Sequence, residues 1–221
     1  MTLQETWLPS NRVHLLGGPS DAGKTRWILP AMISLAKPWA YVAGDRSLLD
    51  AKDTIRSLKL DEGQINIIPA FGQEERELTQ VFMAINSLTP LPEYVVVEGF
   101  QILCPDKNRH RIVSKFLGAW ERFIQPSKTN DKGMTVIGVC ESPKMKPHER
   151  YANPRERISG CATWAYAAST VIIIDCKPKD WELKTKERKM WVCGKNMPRL
   201  QFDGEFNTAG YLTFVPTLDE S

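Results

Sequence analysis

The sequence predicts an α/β fold, with a mainly parallel central sheet flanked by helices and an antiparallel β extension at the C-terminal end. Short apolar, β-branched runs alternate with helical patterns from residue 13 to residue 175, and this alternation is typical of parallel strands joined by right-handed crossovers. A glycine-rich loop separates the first strand from the first helix. The last apolar runs are separated only by turn residues, which favours antiparallel hairpins.

The glycine-rich loop has the spacing of a phosphate-binding loop, and an apolar strand over residues 12–16 precedes it. Glycine lets the chain turn tightly, so that successive backbone N–H groups can surround phosphate oxygens. Lys24 is expected to reach the β and γ phosphates, and Thr25 is expected to offer its hydroxyl to Mg²⁺. The helix over 24–35 directs its positive end at the same phosphates. The predicted nucleotide-binding residues are Gly18, Pro19, Ser20, Asp21, Ala22, Gly23, Lys24, Thr25 and Arg26.

The remaining elements follow from the apolar pattern and its interruptions. Strands are apolar runs bounded by glycine, proline or a charge, and helices repeat apolar residues every three or four positions. Predicted strands cover 39–43, 65–69, 94–98, 134–140 and 170–175, and predicted helices cover 47–58, 74–87, 109–125 and 161–169. The β extension comprises strands over 190–193, 199–202 and 211–214, after a polar hairpin tip over 177–189.

One predicted strand closes on a carboxylate at a position where a metal site is expected. The run from Tyr94 to Val97 is apolar and ends at Glu98. A carboxylate at the carboxyl end of a buried strand beside a phosphate loop can hold the water shell of Mg²⁺, which takes few protein oxygens. The alternative is a strand-end glutamate that only faces solvent.

A basic segment follows the strand over 134–140. Between residues 144 and 157 the positive side chains exceed the negative ones by three, which equals the net charge of the whole chain, +3. Three prolines in or beside it, together with the length of the loop, predict an extended, mobile segment, and a tyrosine in it could stack on a base. The alternative is a solvated loop that binds nothing. The candidate nucleic-acid-binding residues are Lys144, Lys146, Arg150, Tyr151, Arg155 and Arg157.

Length and composition favour one domain over residues 1–221, with flexible ends at 1–10 and 216–221. No apolar run approaches the roughly 20 residues of a membrane-spanning helix, and the first residues do not have the pattern of a signal peptide. A cytoplasmic protein is expected, in the host cytoplasm if a phage encodes it. The five cysteines show no CxxC spacing, so they predict neither a zinc site nor a disulfide framework.

In this order, the motifs resemble the RecA-type ATPase core, and within it the branch of the plasmid replicative helicase RepA and related phage ATPases. The resemblance runs from Val13 to Phe214. It includes the phosphate loop, the strand ends around Asp45 and Glu98, and the segments that the family uses around nucleic acid and a neighbouring nucleotide. The segments that carry it are GGPSDAGKT, AYVAGDRS, YVVVEGF, TVIGVCESPK, ERISGCATWAYAASTVIIID and VCGKNMP.

The resemblance implies a role for each matching residue. Asp45 takes the place of the acid that orients or deprotonates the attacking water, and Glu98 replaces the usual Walker B aspartate with a side chain one methylene longer. A different division makes Glu98 the base and leaves the metal to Thr25 and Asp45. Lys195 matches a basic residue that reaches the ATP of the next subunit. The polar γ-phosphate sensor of the family corresponds to Glu141 and Ser142.

The function implied by the resemblance is hydrolysis of ATP with Mg²⁺ by a homo-oligomer, a hexameric ring or a filament, which grips single-stranded DNA. The setting would be phage or plasmid replication or recombination, with a replication or loading partner. Three alternatives stay open: a non-motor ATP-binding regulator, a P-loop small-molecule kinase and a DNA-packaging ATPase. The kinase alternative would make the basic segment a lid over an acceptor pocket.

Overall fold

The computed structural model describes residues 7–70, 78–127, 130–143, 154–175, 187–195 and 197–217. The strands are β1 (Val13–Gly18), β2 (Trp39–Ala43), β3 (Asn66–Pro69), β4 (Tyr94–Glu98), β5 (Thr135–Glu141), β6 (Thr170–Asp175), β7 (Glu187–Gly194), β8 (Leu200–Phe206) and β9 (Leu212–Pro216). The helices are α1 (Lys24–Ser34), α2 (Leu48–Ser57), α3 (Leu78–Asn86), α4 (His110–Phe123) and α5 (Thr163–Ala167), with 3-10 turns at Glu62–Gln64 and Pro154–Arg157.

The strands form one sheet in the order β3-β2-β4-β5-β1-β6-β7-β8-β9. The pairs from β3 to β6 are parallel, and the pairs from β6 to β9 are antiparallel. The predicted fold class is therefore confirmed, including the antiparallel extension. Because parallel strands are covered on both faces, β1, β2, β4 and β6 are buried along their whole length, as their nearly continuous apolar runs require.

The helices cover the two faces of the sheet unequally. Successive residues of a strand point to opposite faces, so Leu16 packs with side chains of α1 and α2, whereas Leu15 packs with those of α3, α4 and α5. The second face carries a cluster of aromatic rings in which Trp120 lies 4.9 Å from Phe82 and 5.6 Å from Phe100, measured between ring centroids. Trp120 is fully buried, and such a side chain dominates the energetics of its layer.

Element ends differ from the prediction where pairing continues beyond the apolar run. β1 includes both glycines of its end because Gly18 pairs in register with Glu141 of β5. β7 begins at Glu187, inside the stretch predicted as a hairpin tip, because Glu187 to Lys189 pair with β8. Trp7 and Leu8 belong to the N-terminal end expected to be flexible, and both are buried against the core since they are large and apolar. Flexibility of the two ends stays a prediction. No helix in the described ranges is both long and apolar enough to cross a membrane.

Candidate nucleotide-binding site

The phosphate loop lies between β1 and α1, at the carboxyl edge of the parallel strands. Gly23 has a φ of 94°, a left-handed conformation that glycine adopts without strain, and α1 begins at the next residue. A Cβ atom at Gly23 would lie 2.7 Å from the ring of Phe206, so a larger residue would not fit. The first turn of α1 carries no acidic residue. Its free N–H groups and positive end therefore favour an anion in front of the helix.

Lys24 is folded back over the loop that precedes it. Its Nζ atom donates hydrogen bonds to the carbonyl oxygens of Gly18 and Pro19, both at 2.8 Å. Burial lowers the pKa of Lys24, and the negative charges of Glu141 and Glu98 oppose that shift. The ammonium group is thus held at the loop by weak neutral acceptors, which phosphate oxygens can replace.

Glu98 at the end of β4 is joined to Thr25 at the start of α1. The hydroxyl of Thr25 donates to Oε1 of Glu98 at 2.5 Å. Glu98 is only 3% exposed, and burial raises its pKa to about 7, opposed by the hydrogen bond from Thr25 and the charge of Lys24. Among the described residues, Oε2 of Glu98 has no hydrogen-bond partner although it is buried. A buried carboxylate oxygen without a hydrogen-bond partner can accept a further cation or proton donor.

Asp45 comes beside Glu98 through the pairing of β2 with β4. Ala43 is in register with Glu98, and the N–H of Gly44 donates to the Glu98 carbonyl at 3.1 Å. Gly99 permits the approach, because a Cβ atom at this residue would lie 2.7 Å from the Cβ atom of Asp45. The two acids therefore reach the same side of the loop, as the carboxyl ends of adjacent parallel strands do.

Arg46 joins these two acids, and the sequence analysis did not predict it as a site residue. Its guanidinium donates to Oε1 of Glu98 at 2.8 Å and to Oδ1 of Asp45 at 3.1 Å. A third bond, at 3.1 Å, goes to the hydroxyl of Thr54 on α2. Arg46 follows Asp45 directly at the end of a strand, and this position is the sequence feature from which a role at the site could have been predicted.

The predicted γ-phosphate sensor lies at the end of β5, on the other side of the cavity. Glu141 is exposed, 3.5 Å from the hydroxyl of Ser20 between oxygens, whereas Ser142 is buried and its N–H donates to the Gly18 carbonyl at 3.1 Å. Gln101, which the sequence analysis also missed, accepts a hydrogen bond from the Glu141 N–H at 3.3 Å. Its amide nitrogen donates to the Ser159 carbonyl. Gln101 thus links the loop after β4 to the end of β5.

The antiparallel extension supports the phosphate loop from its far side. Arg188 of β7 donates to the carbonyls of Ala22 at 3.3 Å and Asp21 at 3.4 Å. Its guanidinium carbon lies 5.0 Å from the ring centroid of Phe206. Arg188 is buried, although it falls in the stretch predicted as a polar hairpin tip. The C-terminal strands therefore help to fix the loop as well as widening the sheet.

These elements enclose an open cavity of about 480 Å³, a size usual for small-molecule sites. Most of the predicted nucleotide-binding and catalytic residues line it, and Gly18, Pro19, Ala22, Ser142 and Lys195 do not. Arg46, Gln101, Lys107 and Phe206 line it without having been predicted. The predicted lining residues are Ser20, Asp21, Gly23, Lys24, Thr25, Arg26, Asp45, Glu98 and Glu141.

Lys195 lies at the opposite edge of the sheet from this cavity. Gly194 pairs with Thr170 at the start of β6, and the Lys195 N–H donates to the Ser169 carbonyl at 3.1 Å. Its exposed ammonium group donates to the carbonyl of Ala167, also at 3.1 Å. Lys195 therefore does not face the phosphate loop of its own chain.

Two of the six predicted nucleic-acid-binding residues make contacts within the chain. The guanidinium of Arg155 donates to three backbone carbonyls of α5, its C-cap and β7, at 2.6 to 2.7 Å. Arg157 forms an ion pair with the fully buried Asp175 at 2.5 Å and donates to the Pro143 carbonyl at 2.8 Å. Both arginines thus hold the subunit together, and their predicted role on nucleic acid stays a prediction. The other four, Lys144, Lys146, Arg150 and Tyr151, lie outside the described residues.

The donor set beside the loop fits Mg²⁺. It offers the hydroxyl of Thr25, the carboxylate of Glu98 with its unpartnered Oε2 atom, and the nearby carboxylate of Asp45. Within the part of the chain that the structure describes, no group of three or more His, Cys, Asp or Glu side chains could hold a metal ion by itself. Mg²⁺ usually takes a few protein oxygens together with waters and substrate phosphates.

The chain has an α/β fold with a mainly parallel sheet, and a glycine-rich loop with the spacing of a phosphate-binding loop joins β1 to α1. Among 388 similar chains of solved structures is a KaiC-like protein from the hyperthermophilic archaeon Pyrococcus horikoshii. The likeness covers 98% of this chain and 96% of that chain, with a TM-score of 0.66 and 15% sequence identity, so it concerns the fold. No protein-family model matches the chain, and no curated protein matches its sequence.

Proposed function

We propose that this chain is an ATP-hydrolysing RecA-like motor, which acts as a homo-oligomer on single-stranded DNA. The proposal of ATP hydrolysis rests on the group of side chains around Glu98. The carboxylate of Glu98 accepts a hydrogen bond from Thr25, and its other oxygen is buried and has no described partner. Glu98, Asp45 and Lys24 line one cavity. Phosphoryl transfer to water depends on positioning and on neutralisation of charge, and these side chains are suited to both.

Each side chain has a distinct part in the proposed reaction. Lys24 would exchange the carbonyls of Gly18 and Pro19 for oxygens of the β and γ phosphates, at the positive end of α1. Mg²⁺, when bound, neutralises charge on the phosphate oxygens. Thr25 and Glu98 would hold it, and Asp45 would orient the attacking water or take its proton. Glu98 is the alternative base, because burial raises its pKa to about 7, close to the pH at which a general base works best.

The proposed oligomer rests on the resemblance to RecA-type ATPases, and the separation of Lys195 from the cavity supports it. Its charge lies at the amino edge of the parallel strands, whereas the cavity opens at their carboxyl edge. A head-to-tail arrangement of copies would bring Lys195 of one subunit towards the phosphates of the next, where a cation stabilises the charge of the transition state. We propose a hexameric ring or a filament with this contact.

The DNA-binding part rests on the basic segment and on the resemblance to the RepA and phage branch. The segment over 144–157 carries an excess positive charge of three. With Arg155 and Arg157 engaged inside the subunit, Lys144, Lys146, Arg150 and Tyr151 are the residues proposed to contact single-stranded DNA. Replication or recombination in a phage or plasmid is the proposed setting.

A second candidate is a non-motor subunit that binds ATP without responding to DNA. The internal contacts of Arg155 and Arg157 favour it, because they engage two of the five candidate cations within the chain. Such a subunit would use the same cavity but would show no change of hydrolysis with DNA.

The first experiment measures ATP hydrolysis with Mg²⁺, with and without single-stranded DNA, together with the mass by light scattering. Lys24→Ala should lower the rate by about 10²–10³, the cost typical of removing one preorganised charge-stabilising donor. Lys132→Ala is the matched control, since Lys132 is exposed and does not line the cavity.

The outcomes separate the candidates. Hydrolysis that requires Lys24, rises severalfold with DNA and comes from a multimer supports the motor. Hydrolysis without a DNA effect supports the non-motor subunit. A wild-type chain that neither binds nor hydrolyses ATP contradicts both.

A further inference from the structure

Arg46 uses three different nitrogens on three different side chains. Nη2 bonds to Glu98, Nε bonds to Asp45 and Nη1 bonds to Thr54, all between 2.8 and 3.1 Å. An arginine fork held at three points in this way is fixed in orientation. Its side chain is 27% exposed and lines the cavity, so it is open to displacement from that side.

The oxygen that Arg46 bonds is also the oxygen that Thr25 bonds. Oε1 of Glu98 accepts from both, at 2.8 Å and 2.5 Å, while Oε2 is buried without a described partner. The guanidinium therefore stands where positive charge is required: next to the two acids and the hydroxyl that fit a divalent cation. A divalent cation at the same carboxylates would meet the repulsion of this charge.

We propose that Arg46 is a positioning residue that substitutes for the divalent cation in the nucleotide-free chain. It keeps Glu98 and Asp45 directed at the cavity, and it competes with the metal for Glu98. On binding of Mg²⁺ and nucleotide, the guanidinium releases Glu98 and remains tied to Thr54 on α2. This inference rests on the proposed function for the identity of the metal and deepens it by assigning a regulator of metal entry.

The test uses Mn²⁺ as a paramagnetic substitute for Mg²⁺, titrated into the nucleotide-free full chain and followed by electron paramagnetic resonance, with Mg²⁺ as competitor. Arg46→Met removes the charge but keeps the length of the side chain. We expect Mn²⁺ to bind about tenfold more tightly, as expected for removal of one nearby positive charge in a partly exposed site. Arg46→Lys keeps the charge and should stay near the wild-type affinity.

Lys132→Met is the matched control, since Lys132 is exposed and does not line the cavity. It should leave Mn²⁺ affinity unchanged. Glu98→Gln should abolish the tight binding of Mn²⁺, which would show that the titration measures binding at Glu98. If Arg46→Met fails to fold by circular dichroism, Arg46→Gln takes its place.

Mn²⁺ affinity that is unchanged or weaker in both Arg46→Met and Arg46→Gln overturns the proposal. An unchanged affinity means that Arg46 does not compete, and a weaker one means that Arg46 is needed to assemble the metal site. Because nucleotide is absent from the titration, failure of ATP hydrolysis would contradict the proposed function without deciding this result. If ATP hydrolysis by Arg46→Met requires less Mg²⁺ than hydrolysis by the wild type, that would connect the competition by Arg46 with the proposed function.

Discussion

Two arginine–carboxylate pairs lie at the same edge of the sheet, each at the end of a parallel strand. Arg46 pairs with Glu98 at the end of β4 at 2.8 Å, and Arg157 pairs with Asp175 at the end of β6 at 2.5 Å. Both carboxylates follow β-branched runs and both are buried. In composition and in strand position the two pairs are nearly the same.

Their surroundings differ. Glu98 lines the cavity and keeps one buried oxygen without a described partner, and its arginine is 27% exposed. Asp175 does not line the cavity, and its arginine is only 12% exposed and also donates to the Pro143 carbonyl. We therefore expect the pair that borders open space to act in a site, and the closed pair to act in the stability of the chain.

The closed pair should give the largest change in stability. Arg157→Met removes one partner of a buried ion pair, so the free energy of unfolding should fall by about 3–5 kcal/mol. Urea denaturation of the purified variant measures this difference. A loss below about 1 kcal/mol, the usual value of an exposed pair, would show that the stability of the chain does not depend on this pair and would contradict the comparison.

The matched control replaces both members of the pair. Arg157→Met combined with Asp175→Leu removes both charges of the pair, and such replacements are often neutral or stabilising. The double variant should therefore be more stable than Arg157→Met alone. If the two are equally unstable, the loss comes from the packing of Arg157 and from its bond to Pro143.

The open pair should show the opposite effect, with a dependence on pH. Burial raises the pKa of Glu98 to about 7 from 4.5, so the folded chain retains a proton that the unfolded chain has already lost within that range. The stability that the neutral, buried Glu98 side chain contributes is fully present below pH 4.5 and is lost as the pH rises through about 7. Glu98→Gln, which stays neutral, should exceed wild-type stability by an amount on the order of 2 kcal/mol at about pH 8, since the ion pair with Arg46 offsets part of the penalty.

The measurement is urea denaturation at about pH 5 and about pH 8, compared with ATP hydrolysis of the same variant. The difference between variant and wild type cancels other titrating groups, including His14, whose pKa burial lowers to about 4. We expect the stability gain only at the higher pH, together with a large loss of hydrolysis. A destabilised Glu98→Gln chain at about pH 8 would assign Glu98 to the same structural class as Asp175.

The sequence predicted the fold more completely than the site, for physical reasons. Strand and helix periods are local, so the sheet and its antiparallel extension could be predicted, and so could Glu98, which ends a strand. Arg46 and Gln101 act through bonds to residues far along the chain, and no local pattern specifies such partners. Arg155 and Arg157 bond to groups of their own chain that only the fold brings near, and no local pattern indicated these contacts. Their role on nucleic acid stays a prediction.

Gln101 lies between the two regions, and its loss should have a smaller effect than loss of the closed pair, because its described bonds go to neutral backbone groups. It bonds to the N–H of Glu141 beside the cavity and to the carbonyl of Ser159, two residues beyond Arg157. Gln101→Leu leaves both backbone groups without this partner and should cost about 1–3 kcal/mol. Gln101→Glu is the control, because its carboxylate still accepts from the N–H of Glu141. Hydrogen exchange of the Glu141 amide should be slow in this variant and faster in Gln101→Leu.

A double-mutant cycle of Gln101→Leu with Arg157→Met then tests whether the two regions are independent. Residues that share a network give coupling energies above about 0.5 kcal/mol, whereas separate ones add. We expect a coupling of roughly 0.5–1 kcal/mol, because Ser159 is joined to Glu141 by its own N–H at 3.1 Å as well as through Gln101. Additive changes would mean that the cavity and the closed pair respond separately. Nucleotide binding in the cavity would then leave the closed pair unchanged.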